Sequence, residues 1–355
     1  MKIAAAAPAR TMRICVVAER MTDPLDEGGR KFAYLLASAL EQHATVRRIS
    51  VGGSAQATNG NISIPRTRTF TARTLRHAVR DFAPDTVCYV PEASMTLFSV
   101  MRARMLKLAF PSARLALIAV QTRSHSAAAL PLLRLLRPDL VFALSQHTAN
   151  GAARLGCRTS VLPPAVDLER FRPVDYGQKM TLRRKYGLDE KAFLVLHVGH
   201  AKWERGVGVL GDMVNDCQPV LVAAHSEGAD AGLMEHLRGR GVVVIDEFLP
   251  EVHELYQASD CYIFPVLQED ASIDSPLSVI EAMACNLPVA TTSFGSLPDI
   301  LSPGGGFLFA TTAEELINAV SDRGWTAGSD TRSAVSTYSW DNAAQALLKA
   351  IEAIR

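Results

Sequence analysis

The segment Val198-Gly199-His200-Ala201-Lys202-Trp203-Glu204-Arg205-Gly206 sets two cations between two glycines, directly after an apolar run. A strand ending at glycine, then a basic residue before a second glycine, suits a diphosphate. Arg205 can make forked bonds to its oxygens and Lys202 supplies a point charge, with Gly199 and His200 at the strand end. The pair Gly28-Gly29 follows the first apolar run of the chain. Glycine permits close backbone approach, and a helix start offers N–H groups and positive dipole, so Gly29 is a candidate phosphate donor. In Asp274-Ser275-Pro276-Leu277-Ser278-Val279-Ile280-Glu281, Ser275 suits an N-cap and Pro276 the first helical position. Glu281 then falls on the second turn, where a carboxylate can accept bonds from sugar or ribose hydroxyls. Gln121-Thr122-Arg123-Ser124-His125 follows another apolar run, and its Arg123 and His125 could face an acceptor. Each segment alone also reads as something ordinary: a tight turn, a solvated loop, a carboxylate paired with a neighbour, a lone surface histidine. Their order along the chain is the stronger signal.

These segments need a scaffold that brings strand ends and helix starts together. Arg13–Glu19 is a short strand of the buried type, and Gly28 opens a helix to about Gln42 with Phe32, Leu35, Leu36, Ala39 and Leu40 at helical spacing. Further strands are expected at residues 45–50, 86–90, 115–120 and 140–144. A proline-rich linker spans residues 163–173. The pattern then restarts, with strands at 193–198, 220–224, 242–245, 261–264 and 289–292 and a last helix over 341–354. Alternating strands and helices imply parallel sheets covered on both faces, which bind ligands at the carboxyl ends of their strands. A chain of 355 residues is long for one core and comfortable for two.

With these segments in order, the chain resembles the GT-B glycosyltransferases of the large family-4 retaining class. The likeness runs over residues 12–355 and is clearest in the second half. Val161-Leu162-Pro163-Pro164-Ala165-Val166-Asp167, followed by Phe171-Arg172-Pro173, is similar to the family's linker. Ala258-Ser259-Asp260 through Pro265 is similar to its A-D-x-x-x-x-P strand, and Glu281-Ala282-Met283-Ala284-Cys285 with Leu287-Pro288-Val289 to its E-A-M-A-C-G-x-P-V. The resemblance implies an α/β fold of two doubly wound, Rossmann-like domains facing a cleft. An acceptor-binding domain would span 12–170, a nucleotide-sugar-binding domain 174–338, and a crossover helix 339–355. It implies transfer of a sugar from a nucleotide-diphosphate sugar to an acceptor, for which a glycan, a lipid-linked or an anionic molecule is expected, with retention at the anomeric carbon. The donor set would be Gly29, Gly199, His200, Lys202, Arg205, Leu277, Ser278 and Glu281. Glu281, Asp274, His125 and Gln121 would surround the reacting centre. The chain departs from the family at the donor site. His200 and Arg205 stand where arginine and lysine are usual. Ile273 holds the place of the first of two glutamates, with Asp274 beside it, and Gln121 holds that of a histidine. These departures motivate the alternative of a catalytically inactive GT-B-shaped binding or partner protein.

The remaining composition narrows the partners. The six cysteines have no close pair and the nine histidines are scattered, so neither a disulfide framework nor a metal site is expected, nor any cofactor besides the donor substrate. Nothing in the sequence reaches the roughly 20 apolar residues of a membrane span, and a cytoplasmic chain is expected. The net charge of +1 hides an asymmetry: residues 1–170 hold 23 Lys and Arg against 11 Asp and Glu, whereas residues 171–355 hold 14 against 25. A basic half suggests an anionic acceptor, or the inner face of a membrane carrying one. Segments 101–110 and 130–137 mix arginines with Leu, Met and Phe and are the candidates for such contact; as ordinary helices with solvated arginines they would need no lipid. Nucleic acid is not expected, because no aromatic platform accompanies the arginines.

Overall fold

Along β1 (Arg13–Glu19), Ile14, Val16 and Ala18 join one apolar layer and Cys15 and Val17 another. A strand apolar on both alternating faces belongs in the middle of a parallel sheet covered on both sides. The structure is a computed structural model that describes residues 11–19, 21, 25, 27–52, 61–64, 75, 77, 81–213, 217–224 and 228–353. The loop that the sequence leads one to expect between the first strand and helix, residues 20–28, lies mostly outside them. In the first half, β2 (Thr45–Val51), β3 (Asn61–Ile64), β4 (Thr86–Val90), β5 (Arg114–Ala119), β6 (Leu140–Ala143) and β7 (Thr159–Val161) join β1. The seven run parallel in the order β3-β2-β1-β4-β5-β6-β7. Helices α1 (Gly28–Leu40), α2 (Leu97–Ala109), α3 (Leu130–Leu136) and α4 (Gln146–Arg154) lie between them.

The second half repeats the plan. β8 (Leu194–Gly199), β9 (Gln218–Ala223), β10 (Val243–Ile245), β11 (Cys261–Phe264), β12 (Val289–Thr292) and β13 (Phe307–Ala310) form a parallel sheet ordered β10-β9-β8-β11-β12-β13. α5 (Tyr176–Lys185) precedes it. α6 (Ala231–Gly239), α7 (His253–Ala258), α8 (Leu277–Ala284) and α9 (Leu297–Ile300) lie between strands, and α10 (Ala313–Ser321) and α11 (Thr331–Val335) follow. The sequence pattern reveals most of these strands but misses β3, β7 and β13. They are three or four residues long and lie at sheet edges, too short for a period of two to register.

The chain crosses between halves twice, side by side. The linker and the segment before the last helix meet where the Val166 N–H donates to the Tyr338 carbonyl at 3.1 Å. The last helix, α12 (Trp340–Glu352), then returns to the first sheet. Its Ala344, Leu347 and Ile351 enter the layer of Ile14 and Leu36, and the Trp340 ring meets Phe32 edge-on at 5.6 Å. Ser339 caps it by accepting the Asn342 N–H at 3.1 Å.

Candidate functional site

Three features of the second sheet converge at its carboxyl edge. β8 ends at Gly199, and a short turn carries Trp203–Arg205. That turn closes on Gly206, whose φ is +69°, and a Cβ there would lie 2.5 Å from the Pro265 carbonyl oxygen just past β11. Only glycine tolerates both the left-handed backbone and the contact, so Gly206 fixes the turn that holds Arg205. Beneath it, His197 is fully buried and donates its Nδ1–H to the Ile263 carbonyl at 2.9 Å. Burial lowers its pKa to about 4, the Ile263 bond opposing and the Arg205 charge adding to the shift, so the ring is neutral at pH 7. Gly199 lets the two groups crowd in: a Cβ on it would meet His197 Nε2 at 3.2 Å and Arg205 Nη1 at 3.7 Å.

The start of α8 is the third feature. Pro276, not Ser275, is its N-cap, and no side chain caps it. Ser275 is buried and its Oγ has no partner. Pro276, Leu277 and Ser278 therefore present this helix start, with its positive dipole, to the same cavity as Arg205 and His200. Glu281 lies one turn further on, where it accepts from the Tyr256 hydroxyl at 3.2 Å and pairs with Lys31. Burial and the Glu281 carboxylate together push the Tyr256 phenol well up from its ordinary value.

The opposite wall belongs to α1. Its N-cap is Glu27, whose carboxylate accepts from Gly29 N at 3.0 Å and Arg30 N at 2.8 Å. The Gly29 N–H, expected to serve a phosphate, is thus engaged by Glu27. Lys31 reaches across from α1 to Glu281 and lies over the Phe171 ring at 5.3 Å. It joins the two halves through one ion pair that is mostly shielded from water. The cavity between these walls measures 80 Å³. Cavities of 440 Å³ and 70 Å³ adjoin it, and all three share Lys31 and Glu281 in their lining.

Several residues expected at the reacting centre have other duties. Asp274 is 1% exposed and serves the contact between halves. It accepts from Thr122 N at 2.9 Å and from the hydroxyls of Ser145 and Thr148 at 2.6 Å each. Its own N–H donates to the Val120 carbonyl at 2.8 Å. Gln121 donates to the carbonyls of Asp270 and Ser272 and accepts from Arg123 at 2.6 Å. Ile273 packs into the apolar layer of the first sheet. Segment 270–276 is therefore a finger of the second domain held by the first, which turns Asp274 and Gln121 away from the cavity walls. His125 is half-buried, its pKa lowered by desolvation, and it lines none of the three cavities. Lys202 lies outside them too, with Glu204 at 4.0 Å. Sequence reasoning missed Glu27 and Lys31. Glu27 directly precedes the glycine pair, which is the signal that could have marked it. Nothing local distinguishes Lys31 from a solvated helix lysine.

Comparison with other proteins agrees with this architecture. Residues 192–322 match the family described as glycosyl transferases group 1. A D-inositol 3-phosphate glycosyltransferase of Geodermatophilus obscurus is 28% identical over 55% of this chain and 47% of its own length. The chain thus spans less than half of that relative. Sucrose-phosphate synthase of Thermosynechococcus elongatus superposes with a TM-score of 0.75 at 16% identity, covering 97% of this chain and 99% of the other. An Anabaena protein crystallised with UDP superposes with a TM-score of 0.71 at 16% identity, covering 96% and 100%. Residues 192–322 are thus similar to the glycosyl transferases group 1 family, and the chain that carries them has the GT-B fold.

Proposed function

We propose that this chain moves a glycosyl group from a nucleotide-diphosphate sugar to an acceptor, with retention at the anomeric carbon. One observation carries the reading: Arg205, the uncapped start of α8 and Glu281 line a single cavity at the strand ends. In such a transfer the bond from the sugar's anomeric carbon to the diphosphate breaks and a bond to an acceptor oxygen forms. Negative charge develops on the leaving diphosphate, and preorganised donors aimed at it lower the barrier. Arg205 and the N–H groups of Leu277 and Ser278 would meet that charge, with Gly199 permitting close approach. Glu281 would accept from ribose or sugar hydroxyls once Lys31 releases it. The UDP held by the Anabaena neighbour and the glycosyltransferase name of the Geodermatophilus relative support the donor class. The reading invokes protein cations rather than a metal. Calorimetry with UDP and GDP, with and without EDTA, tests it: binding that survives the chelator is expected, and no binding of either nucleotide sinks the donor site.

A second reading is favoured by the cavity itself. Sites for drug-sized ligands run from about 300 to 1,000 Å³, whereas the cavity beside Arg205 has 80 Å³ and Glu281 is engaged by Lys31. A GT-B-shaped binding protein without transfer activity would have no need to open it. Sugar transfer that disappears in both R205A and E281Q separates the enzyme from the binding protein.

The first domain also has a surface suited to an anionic bilayer, and we infer peripheral contact with the acceptor's membrane there. α2 and α3 pack side by side. They expose Phe98 at 63% and Leu135 at 78%, with Leu108 and Leu132 less so, beside exposed Arg104, Arg134 and Arg137. Apolar side chains ringed by arginines match an anionic headgroup layer. No described helix is long and apolar enough to cross a membrane. Flotation with phosphatidylglycerol vesicles but not phosphatidylcholine vesicles is expected, and absence from both rejects the contact.

A further inference from the structure

Two carboxylates face the cavity between α1 and α8, and they are held differently. Glu281 is engaged by the Lys31 ammonium and the Tyr256 hydroxyl. Glu27 comes from the other domain and is anchored by its own helix start, one oxygen taking the Gly29 N–H and the other the Arg30 N–H. A carboxylate has about four lone-pair sites, so each Glu27 oxygen keeps capacity for one more donor while the backbone bonds fix its orientation. The neighbouring wall is apolar, because Ile273 Cδ1 lies 3.5 Å from where a Cβ on Gly28 would stand. Arg205 and His200 line the cavity from the second domain. The cavity thus has Arg205 on the β8 side, while on α1 the preset acceptor Glu27, with Arg30 Nε 4.0 Å from one oxygen, stands near Lys31, whose charge is taken up by Glu281.

We propose that Glu27 is the carboxylate that recognises the hexose of the donor, so that the first domain supplies a donor contact. This rests on the donor reading above. With the diphosphate at Arg205, the hexose would lie toward α1, and its hydroxyls would donate to the outward lone pairs of Glu27. A preset carboxylate discriminates strongly against a ligand lacking those hydroxyls, because it stays fixed whether or not the sugar is present. The role makes Glu27 a residue that separates nucleotide-sugar from free nucleotide.

The test is calorimetry on the full chain and on E27Q and E27S, with UDP, GDP, UDP-glucose and GDP-mannose as probes. Gln retains an acceptor oxygen for the helix start and Ser is a strong N-cap, so both variants keep a cap on α1. For the base that binds, the ratio of nucleotide-sugar affinity to free-diphosphate affinity is expected to be about tenfold higher in wild type than in either variant, the scale of one hydrogen bond to a charged group. Affinity for the free diphosphate should change by no more than about twofold, since the diphosphate contacts lie on the other wall. Variants whose ratio equals that of wild type overturn the proposal. Equal loss of both ligands also overturns it and leaves Glu27 only a cap. A wild type that binds none of the four probes removes the donor reading itself, and this inference with it.

Discussion

His197 is a buried titratable group close to Gly199 and Arg205 of the proposed diphosphate site, and its chemistry gives a pH signature. Its pKa is lowered from the ordinary 6.5 to about 4, chiefly by burial. Between those values the unfolded chain binds a proton that the folded one does not, so the neutral ring's contribution is complete above pH 6.5 and lost as pH falls toward 4. The full linkage is roughly 3 kcal/mol, of which roughly 2 kcal/mol is gone by pH 5. The free energy of urea unfolding is therefore expected to fall between pH 7 and 5, and H197Q, which cannot titrate, to show a flatter profile; identical profiles would reject the assignment. Arg205, above this histidine, is a different matter. Its forked guanidinium is expected to outperform an ammonium at a diphosphate, so R205K should weaken UDP or GDP binding about tenfold or more, an order expected for a lost charge-assisted bond. Calorimetry that finds R205K equal to wild type would remove Arg205 from the donor site. Arg205 was legible in the sequence because it sits between glycines after a strand. Lys31 was not, because its partner Glu281 becomes a neighbour only through folding, whereas Glu27 caps N–H groups two and three residues on and its place before the glycine pair was a local signal.

At the scale of elements, the turn after β8 shows what glycine does for the site. A Cβ on Gly206 would violate its +69° φ and press on the Pro265 carbonyl at 2.5 Å. G206A must move either the Arg205 turn or the end of β11. A non-glycine residue forced into the left-handed region costs on the order of 1–3 kcal/mol, and the clash adds to this. G206A is expected to lower the melting temperature and to weaken nucleotide binding together. Unchanged affinity in a destabilised protein would mean that the turn does not position Arg205. The glycine after β8 could be read from the sequence, but the reason for the second could not, since Pro265 lies 59 positions away along the chain. The start of α8 was misread by one residue for a related reason. Ser275 is a better cap by type, yet segment 270–276 is drawn toward the first domain, and its hydroxyl is buried away from the helix start.

The whole molecule is a pair of sheets joined by the returning helix α12, by the Lys31–Glu281 pair and by the finger 270–276, and the finger's clasp on the first domain is expected to affect access to the site. The alternation of strands and helices and its restart after the proline-rich linker follow from local patterning, so the sequence conveyed the plan of two parallel sheets. The clasp depends on Asp274, Gln121 and Ile273 meeting partners more than a hundred residues away, and the sequence offered those residues at the reacting centre or as a missing glutamate instead. In the folded protein Asp274 gathers one backbone N–H and three hydroxyls of the first domain into a buried contact. Removing the carboxylate leaves a buried N–H unpaired, a penalty of about 1–3 kcal/mol, which the chain can relieve only by letting water into the interface. D274A is therefore expected to favour a more open arrangement of the domains. Such opening would widen the three cavities that share Lys31 and Glu281, and a binding-competent state that is rare lowers the apparent affinity in proportion. The variant should show a larger radius of gyration by small-angle scattering and faster nucleotide association by stopped flow, with the secondary structure retained by circular dichroism. Were Asp274 a sugar ligand instead, D274A would lose affinity for the nucleotide-sugar while the free diphosphate bound as before at an unchanged radius of gyration. That outcome would return the residue to the reacting centre and leave the clasp to Gln121 and Ile273.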